Sequence, residues 1–411
     1  LRFEAVFYEA QVWLNGALLG EHEGGYTPFE FDASAHLRPG AENVLAVRVD
    51  NEARTDRIPT PPLGWHNDGG ITREVSLHIN SQAYVSRQRI VAAPDLIGPD
   101  QADEATVTAT AWVRNAGSTV LRGTLVADVL DDVSGESVLD DGPESTLALA
   151  PGQETSVEWT VRIQSPKLWH FDHPHLYRWS TALHDADGQA WHTAEAVFGI
   201  RTVEFQEGYL ALNGEPMRLV GLTRHQTSPE HGAAEPVEVM KADYDDLKQL
   251  NMVLSRPVHY PQHPYILDYC DRYGILLIPE VPAWQLRPEQ MADEEMRSLE
   301  RQQLREMIES EWNHPSIWAW SVCNEIASNT PEGRAFVEDM VAYCHELDPT
   351  RPVSFASDKL GRGAWTDAAG DFVMMNQYYG MWHGPKAALG PVLDTVHAAW
   401  PEKGLLVSQW G

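Results

Sequence analysis

Polar and ionisable side chains close several apolar runs in the second half of the chain, and these residues are the ones able to do chemistry. Glu325 ends IWAWSVCNE, where a carboxyl would be partly desolvated. Desolvation disfavours the charged form and raises the pKa, which suits a general acid near neutral pH. The bland alternative is a strand-end Glu that caps the next helix or pairs with a surface base. Arg256 and His259, in SRPVH, are placed to hold a carboxylate or to bind substrate hydroxyls, and Asn324 stands beside Glu325. Glu280, closing ILLIPE, is either a direct ligand or the partner of Arg256 in an ion pair across the rim. His225 ends LVGLTRH, and on residue type alone it reads equally as a structural histidine. Trp284, Tyr378, Trp382 and Trp410 are candidates to stack on the C–H faces of a sugar, although with 15 Trp in the chain each is also a core candidate. Metal chemistry is poorly supported, because His259-x3-His263 and His173-x-His175 lack convergent partners and no HExxH or paired CxxC occurs. No G-x-S-x-G elbow is present. No metal and no cofactor is expected.

These residues need a scaffold that brings strand ends together. From about residue 204, strand-like runs (MRLVGL, MVLSR, ILLIPE, IWAWSVCNE, PVSFAS, DFVMMN, GLLVSQ) alternate with amphipathic helical stretches. Strands separated by helices imply a parallel sheet, and near-continuous apolar strands imply burial on both faces. A (β/α)8 TIM barrel over 204–411 is the expectation, with the active site at the strand C-termini and with strand eight absent. An open doubly wound sheet is the rival, but no Gly-rich phosphate loop follows any strand. Before the barrel, 1–80 reads as short strands with a hairpin signal at Asn15-Gly16. Residues 81–203 read as a second β-sandwich, and neither region predicts a helix.

Composition limits the partners. The 411 residues carry 60 acidic and 30 basic side chains, a formal charge of −30, which repels phosphate backbones and argues against nucleic acid. No long uncharged apolar run predicts a membrane span. Three cysteines (Cys270, Cys323, Cys344) suggest free thiols and favour a cytoplasmic setting. The chain opens at Leu1 already in strand alternation, and the expectation is a fragment whose natural start is missing.

Taken together, the motifs resemble glycoside hydrolase family 2, the β-galactosidase and β-glucuronidase family. They run in order through QVWLNGALLGEHEGGYTPFEFD, Gly69-Gly70-Ile71-Thr72-Arg73-Glu74-Val75, Pro166 to Tyr177, Phe198-Gly199-Ile200-Arg201, LNGEPMRLVGLTRH, RPVHYPQHP, CDRYGILLIPEVP, WNHPSIWAWSVCNE and DPTRPVSFAS. The resemblance implies an N-terminal jelly-roll sugar-binding β-sandwich, an immunoglobulin-like β-sandwich and a catalytic barrel, with carbohydrate as the partner. A homo-oligomer is a further expectation.

It also implies a retaining exo-β-glycosidase. Glu325 falls on the acid/base position and Asn324 on the residue that hydrogen-bonds the sugar 2-hydroxyl. Arg256, His259 and His225 would orient the sugar, with Tyr378 beside the nucleophile. The nucleophile should be the Glu of S-E-x-G, but here the motif reads Ser408-Gln409-Trp410-Gly411, and an amide has no anionic oxygen to attack the anomeric carbon. A deliberate replacement, a carbohydrate-binding pseudoenzyme and a sequencing or truncation artefact are the competing explanations. Thr223-Arg224-His225-Gln226 likewise replaces the usual N-R-H-E. Asn376-Gln377-Tyr378-Tyr379-Gly380 favours β-glucuronidase, with β-galactosidase next; the Asn-x-Lys that would clamp a uronate falls beyond Gly411. A structural or adhesive role for the sandwiches is the remaining class.

Overall fold

Period-two burial organises the first half of the chain. A computed structural model describes residues 1–206, 208–359 and 369–410. Glu9–Leu14 alternates between buried and half-buried positions and turns through Asn15-Gly16, both at positive φ (53° and 87°), into Ala17–Glu23. That is the expected hairpin, its Asn-Gly supplying the left-handed conformations that match strand twist. Phe3, Val6, Ala10, Val12 and Phe29 form the small core between the short sheets of this first sandwich.

The second sandwich pairs a three-stranded sheet (Ala83–Gly98, Gln101–Asn115, Glu154–Gln164) with a four-stranded one (Leu121–Asp131, Glu144–Leu149, Tyr177–Asp185, Ala190–Phe198). Alternate residues Ala105, Val107, Ala109, Ala111 and Val113 face Leu125, Val129, Trp179 and Leu183 across its core. Among the described residues no helix precedes Val237.

Seven parallel strands then alternate with helices: Gly221–Arg224, Leu254–Pro257, Leu276–Leu277, Trp320–Asn324, Val353–Ser357, Val373–Gln377 and Leu405–Trp410. Strands three and four join through the bridges Leu277–Ile317, Glu280–Ser321 and Trp284–Asn324. Among the described residues strands one and seven each pair on one side only, and a gap of about 260 Å³ lies between them. The passage from strand five to strand six runs through 360–368, outside the described residues. Local rules explain the helix that feeds strand three. His263 caps Pro264–Tyr273 by accepting from the Tyr265 N–H, Pro264 starts it, and Gly274 stops it at φ 70°. A Cβ at Gly274 would meet the Phe171 carbonyl oxygen at 2.0 Å, so this stop requires glycine on both counts.

The inner face of helix Glu294–Glu311 holds an anomaly. Glu300 is fully buried and neither carboxyl oxygen has a hydrogen-bond partner. Burial, and then the nearby charge of Glu280, pushes its pKa well above the ordinary carboxylate value and favours the neutral form. Replacing unsatisfied polar atoms by an apolar side chain of similar length removes a desolvation cost of about 1–3 kcal/mol. Glu300→Met is therefore expected to raise Tm in a thermal melt, and a fall in Tm would show that the carboxyl is needed.

Candidate active site

The strand ends converge on one hydrogen-bonded network. Its foundation is Glu280, which is fully buried and accepts from Arg256 Nη2 (2.7 Å), Ser321 Oγ (2.9 Å) and the His259 ring. Arg256 also donates to Asn324 Oδ1 at 2.8 Å. Asn376 Nδ2 donates to Asn324 Oδ1 (3.0 Å), to Glu325 Oε1 (2.8 Å) and, more distantly, to Gln409 Oε1 (3.4 Å), while Ser408 Oγ donates to Asn376 Oδ1 (2.8 Å). Tyr378 Oη and Gln285 Nε2 complete the shell of Glu325 at 2.8 and 3.0 Å. Glu325 sits at φ 52°, a left-handed conformation that costs a non-glycine residue about 1–3 kcal/mol and persists where the surroundings impose it. Here the Glu325 N–H is fixed to the Ala356 carbonyl.

The charge states depart from expectation at the central residue. Burial alone would raise the Glu325 pKa, as the sequence suggests, but hydrogen bonds from Asn376, Gln285 and Tyr378 outweigh it and the net shift is downward. Donors to a carboxylate stabilise its charged form, and three of them reach this one. Glu280 is likewise held down to about 2: Arg256 and His259 overcome the penalty of burial. His225 is pushed down to about 4, first by burial and then by the charge of His259, so it is neutral at pH 7.

The partners of two further candidates are explicit. Glu280 has no exposed surface, and its acceptor sites are engaged by Arg256, His259 and Ser321, the arrangement of a carboxylate that holds its neighbours in place. Tyr378 donates to Glu325 rather than to position 409, in keeping with a carboxylate being a stronger acceptor than an amide oxygen. Trp410 is 74 % exposed at the gap between strands one and seven, and its indole joins no hydrogen bond of the network. Trp382 is similarly exposed, edge-on to Tyr378. Gly411, the last residue of the strand-seven motif, lies outside the described residues. Gln226 is buried and accepts from Arg73 and from the His263 N–H, joining the first sandwich to the barrel.

The sequence reading missed Trp65. Its ring lies 5.4 Å from His259, 5.8 Å from His225 and 5.6 Å edge-on from Trp284, although it belongs to the first sandwich. Its indole N–H is held by Tyr26 Oη and Asn67 Oδ1 at 3.2 Å. A tryptophan inside the Pro- and Gly-rich loop IPTPPLGWHNDGG was the available signal, since loops set on rigid scaffolds often carry function. Gln285, at φ 52°, was also missed. Among the described residues, the trio within reach of one metal ion is Asp268, Asp271 and His314. It lies away from this network, with Asp271 already bonded to His314 (2.6 Å) and to the Ser316 N–H.

Two β-sandwiches carrying a parallel barrel, with a carboxylate–amide network at the barrel's strand ends, define the class of molecule. The family models for the glycosyl hydrolases family 2 sugar-binding domain, family 2 domain and TIM barrel domain match residues 1–80, 85–201 and 203–406. The chain belongs to glycosyl hydrolases family 2. It is 36% identical to a beta-galactosidase of Thermoanaerobacter pseudethanolicus, over 86% of this chain and 45% of that protein. It is 29% identical to a beta-glucuronidase of Bacteroides fragilis, over 100% of this chain and 59% of that protein. The solved structure of a GH2 beta-galacturonidase from Eisenbergiella tayi bound to galacturonate superposes at a TM-score of 0.88, with 29% identity, covering 100% of this chain and 71% of that one. The chain spans about half the length of the curated relatives it matches.

Proposed function

We propose that the protein is built as a retaining exo-β-glycosidase for terminal β-linked sugars, with Glu325 as acid/base and position 409 as the nucleophile site. The observation that carries this reading is the shared amide of Asn376. Because Glu325 Oε1 and Gln409 Oε1 lie 2.8 and 3.4 Å from the same nitrogen, they are no further apart than those two distances laid end to end. That falls short of the about 6.5–9.5 Å of inverting enzymes and accommodates the about 5–5.5 Å of retaining ones. Asn324 supports it: Oδ1 is engaged by Arg256 and Asn376, while Nδ2 is buried without a partner, a donor in position for a sugar hydroxyl.

On sugar identity, the cations described near the strand ends are already paired with acids. Arg224 pairs with Glu235 and Asp243, Arg256 with Glu280, and Lys359 with Asp358. The 36% identity to a beta-galactosidase, against 29% to a beta-glucuronidase, supports a neutral β-galactoside first and a β-glucuronide next. Isothermal titration of the protein with galactose and with glucuronate tests the choice. Tighter galactose binding is expected, tighter glucuronate binding would restore the uronate reading, and failure of both and of a wider sugar panel would remove the glycosidase reading. A non-catalytic carbohydrate-binding protein is the second reading, favoured by one observation, the neutral amide of Gln409.

Trp65 is expected to form a wall of the sugar pocket with Trp284. Trp65→Ala should weaken sugar binding about tenfold, the loss of one aromatic contact worth ~1.4 kcal/mol. An unchanged dissociation constant in the same titration would place Trp65 in the domain interface alone.

A further inference from the structure

The opposite end of the barrel carries a second polar cavity that the proposed reaction does not use. It encloses about 300 Å³ between strand Ala83–Gly98 of the second sandwich, the connection at Arg201–Glu204, and the segments entering barrel strands four and five. Three guanidinium groups line it, those of Arg89, Arg201 and Arg351, around one buried carboxylate, Asp348.

Asp348 has little capacity left. It accepts from Arg351 Nη1 (2.6 Å), Trp320 Nε1 (3.0 Å), Thr350 Oγ1 (2.6 Å), the Thr350 N–H (3.1 Å) and Arg89 Nη2 (3.2 Å). Arg201 is answered only by neutral groups, donating from Nε to the Pro315 carbonyl at 2.8 Å and from Nη2 to the Ile317 carbonyl; it has no carboxylate partner among the described residues. Burial first, and then the charge of Arg351, push its pKa down to about 9. Beside it, Thr202 Oγ1 is buried with no hydrogen-bond partner. Even with Glu204 counted at the exposed rim, the walls are net positive in a protein of formal charge −30. Arg201 is half-buried, bonded to carbonyls, and meets the charges of Asp348 and Asp271 only at a distance. Three guanidiniums around one shared carboxylate, with an unanswered hydroxyl beside them, are complementary to a compact group with several acceptor oxygens and negative charge.

We propose that this cavity binds a small oxyanion of the phosphate or sulfate class, with Arg201 as counter-charge, Arg89 as a second donor and Thr202 Oγ1 as hydrogen-bond donor. The ligand would bridge the second sandwich to the barrel, through residues that lead into strand four and its terminal Asn324.

Calorimetric and thermal titrations of the protein with inorganic phosphate and with sulfate, at ionic strength matched with sodium chloride, test the assignment. Saturable binding of either oxyanion is expected, with Tm rising by a few degrees once the ligand is in about hundredfold excess over its dissociation constant. Thr202→Val, which keeps shape and deletes only the hydroxyl, and Arg89→Gln should each weaken that binding about tenfold; Arg201→Gln should abolish it if the variant folds. An equal Tm rise with chloride, no saturable heat with either oxyanion, or Thr202→Val and Arg89→Gln both titrating like the parent would overturn the proposal.

Discussion

Gln409→Glu is expected to raise hydrolysis of an aryl β-galactoside or β-glucuronide by at least about 10⁴-fold over the present chain, the scale on which loss of a covalent nucleophile is felt. Two effects contribute. The substitution supplies an anionic oxygen able to attack the anomeric carbon, which the amide lacks. It also places a second negative charge next to Glu325, across the shared Asn376 amide. At present Glu325 is held below the ordinary carboxylate range by its three donors and is deprotonated at pH 7. A like charge at 409 raises its pKa, moving it toward the protonated form a leaving group needs. The pH–rate profile of Gln409→Glu should accordingly be a bell, falling on the acid side as position 409 protonates and on the alkaline side as Glu325 loses its proton. A variant that binds sugar as tightly as the parent yet turns nothing over would support the binding-protein reading instead.

Glu280→Ala is expected to be the most damaging single change to stability near the site, costing about 3–5 kcal/mol because it strands a buried arginine. Arg256 is 3 % exposed, and Glu280 is its carboxylate partner. Its hold on Asn324 would loosen at the same time. The double replacement Arg256→Leu with Glu280→Leu should cost less than Glu280→Ala, since no charge is then left buried. The pH dependence has a definite sign. The folded pKa, about 2, lies below the ordinary value of 4.5, so this stabilisation is complete above about pH 4.5 and is lost as pH falls toward 2. Urea midpoints at pH 7 and pH 3 should differ less in Glu280→Gln than in the parent. Equal slopes in both would remove Glu280 as the source.

Strand ends and their order were readable because apolar runs and helix signals are local. The Pro264–Tyr273 helix, for example, is written in its own His-Pro start and Gly stop. The position of Glu325 was readable for the same reason, but the direction of its pKa was not: its donors come from residues 285, 376 and 378, on other strands and loops. Glu280 had two readings because nothing local distinguishes a carboxylate at the rim from one sealed beneath it. Trp65 was invisible to any argument about barrel strands, since 160 residues separate it from His225 and only the docking of two domains brings them together.

That docking has a consequence for protein engineering. Asp68 Oδ2 accepts from the Ala233 N–H at 2.8 Å, and Trp65 lies over His225 and His259, so the loop is latched to the rim it covers. On the proposed reading of Trp65 the pocket is a joint product of two modules, and a chimera that keeps this barrel but takes its first sandwich from another family member should inherit a different sugar preference without a single change inside the barrel.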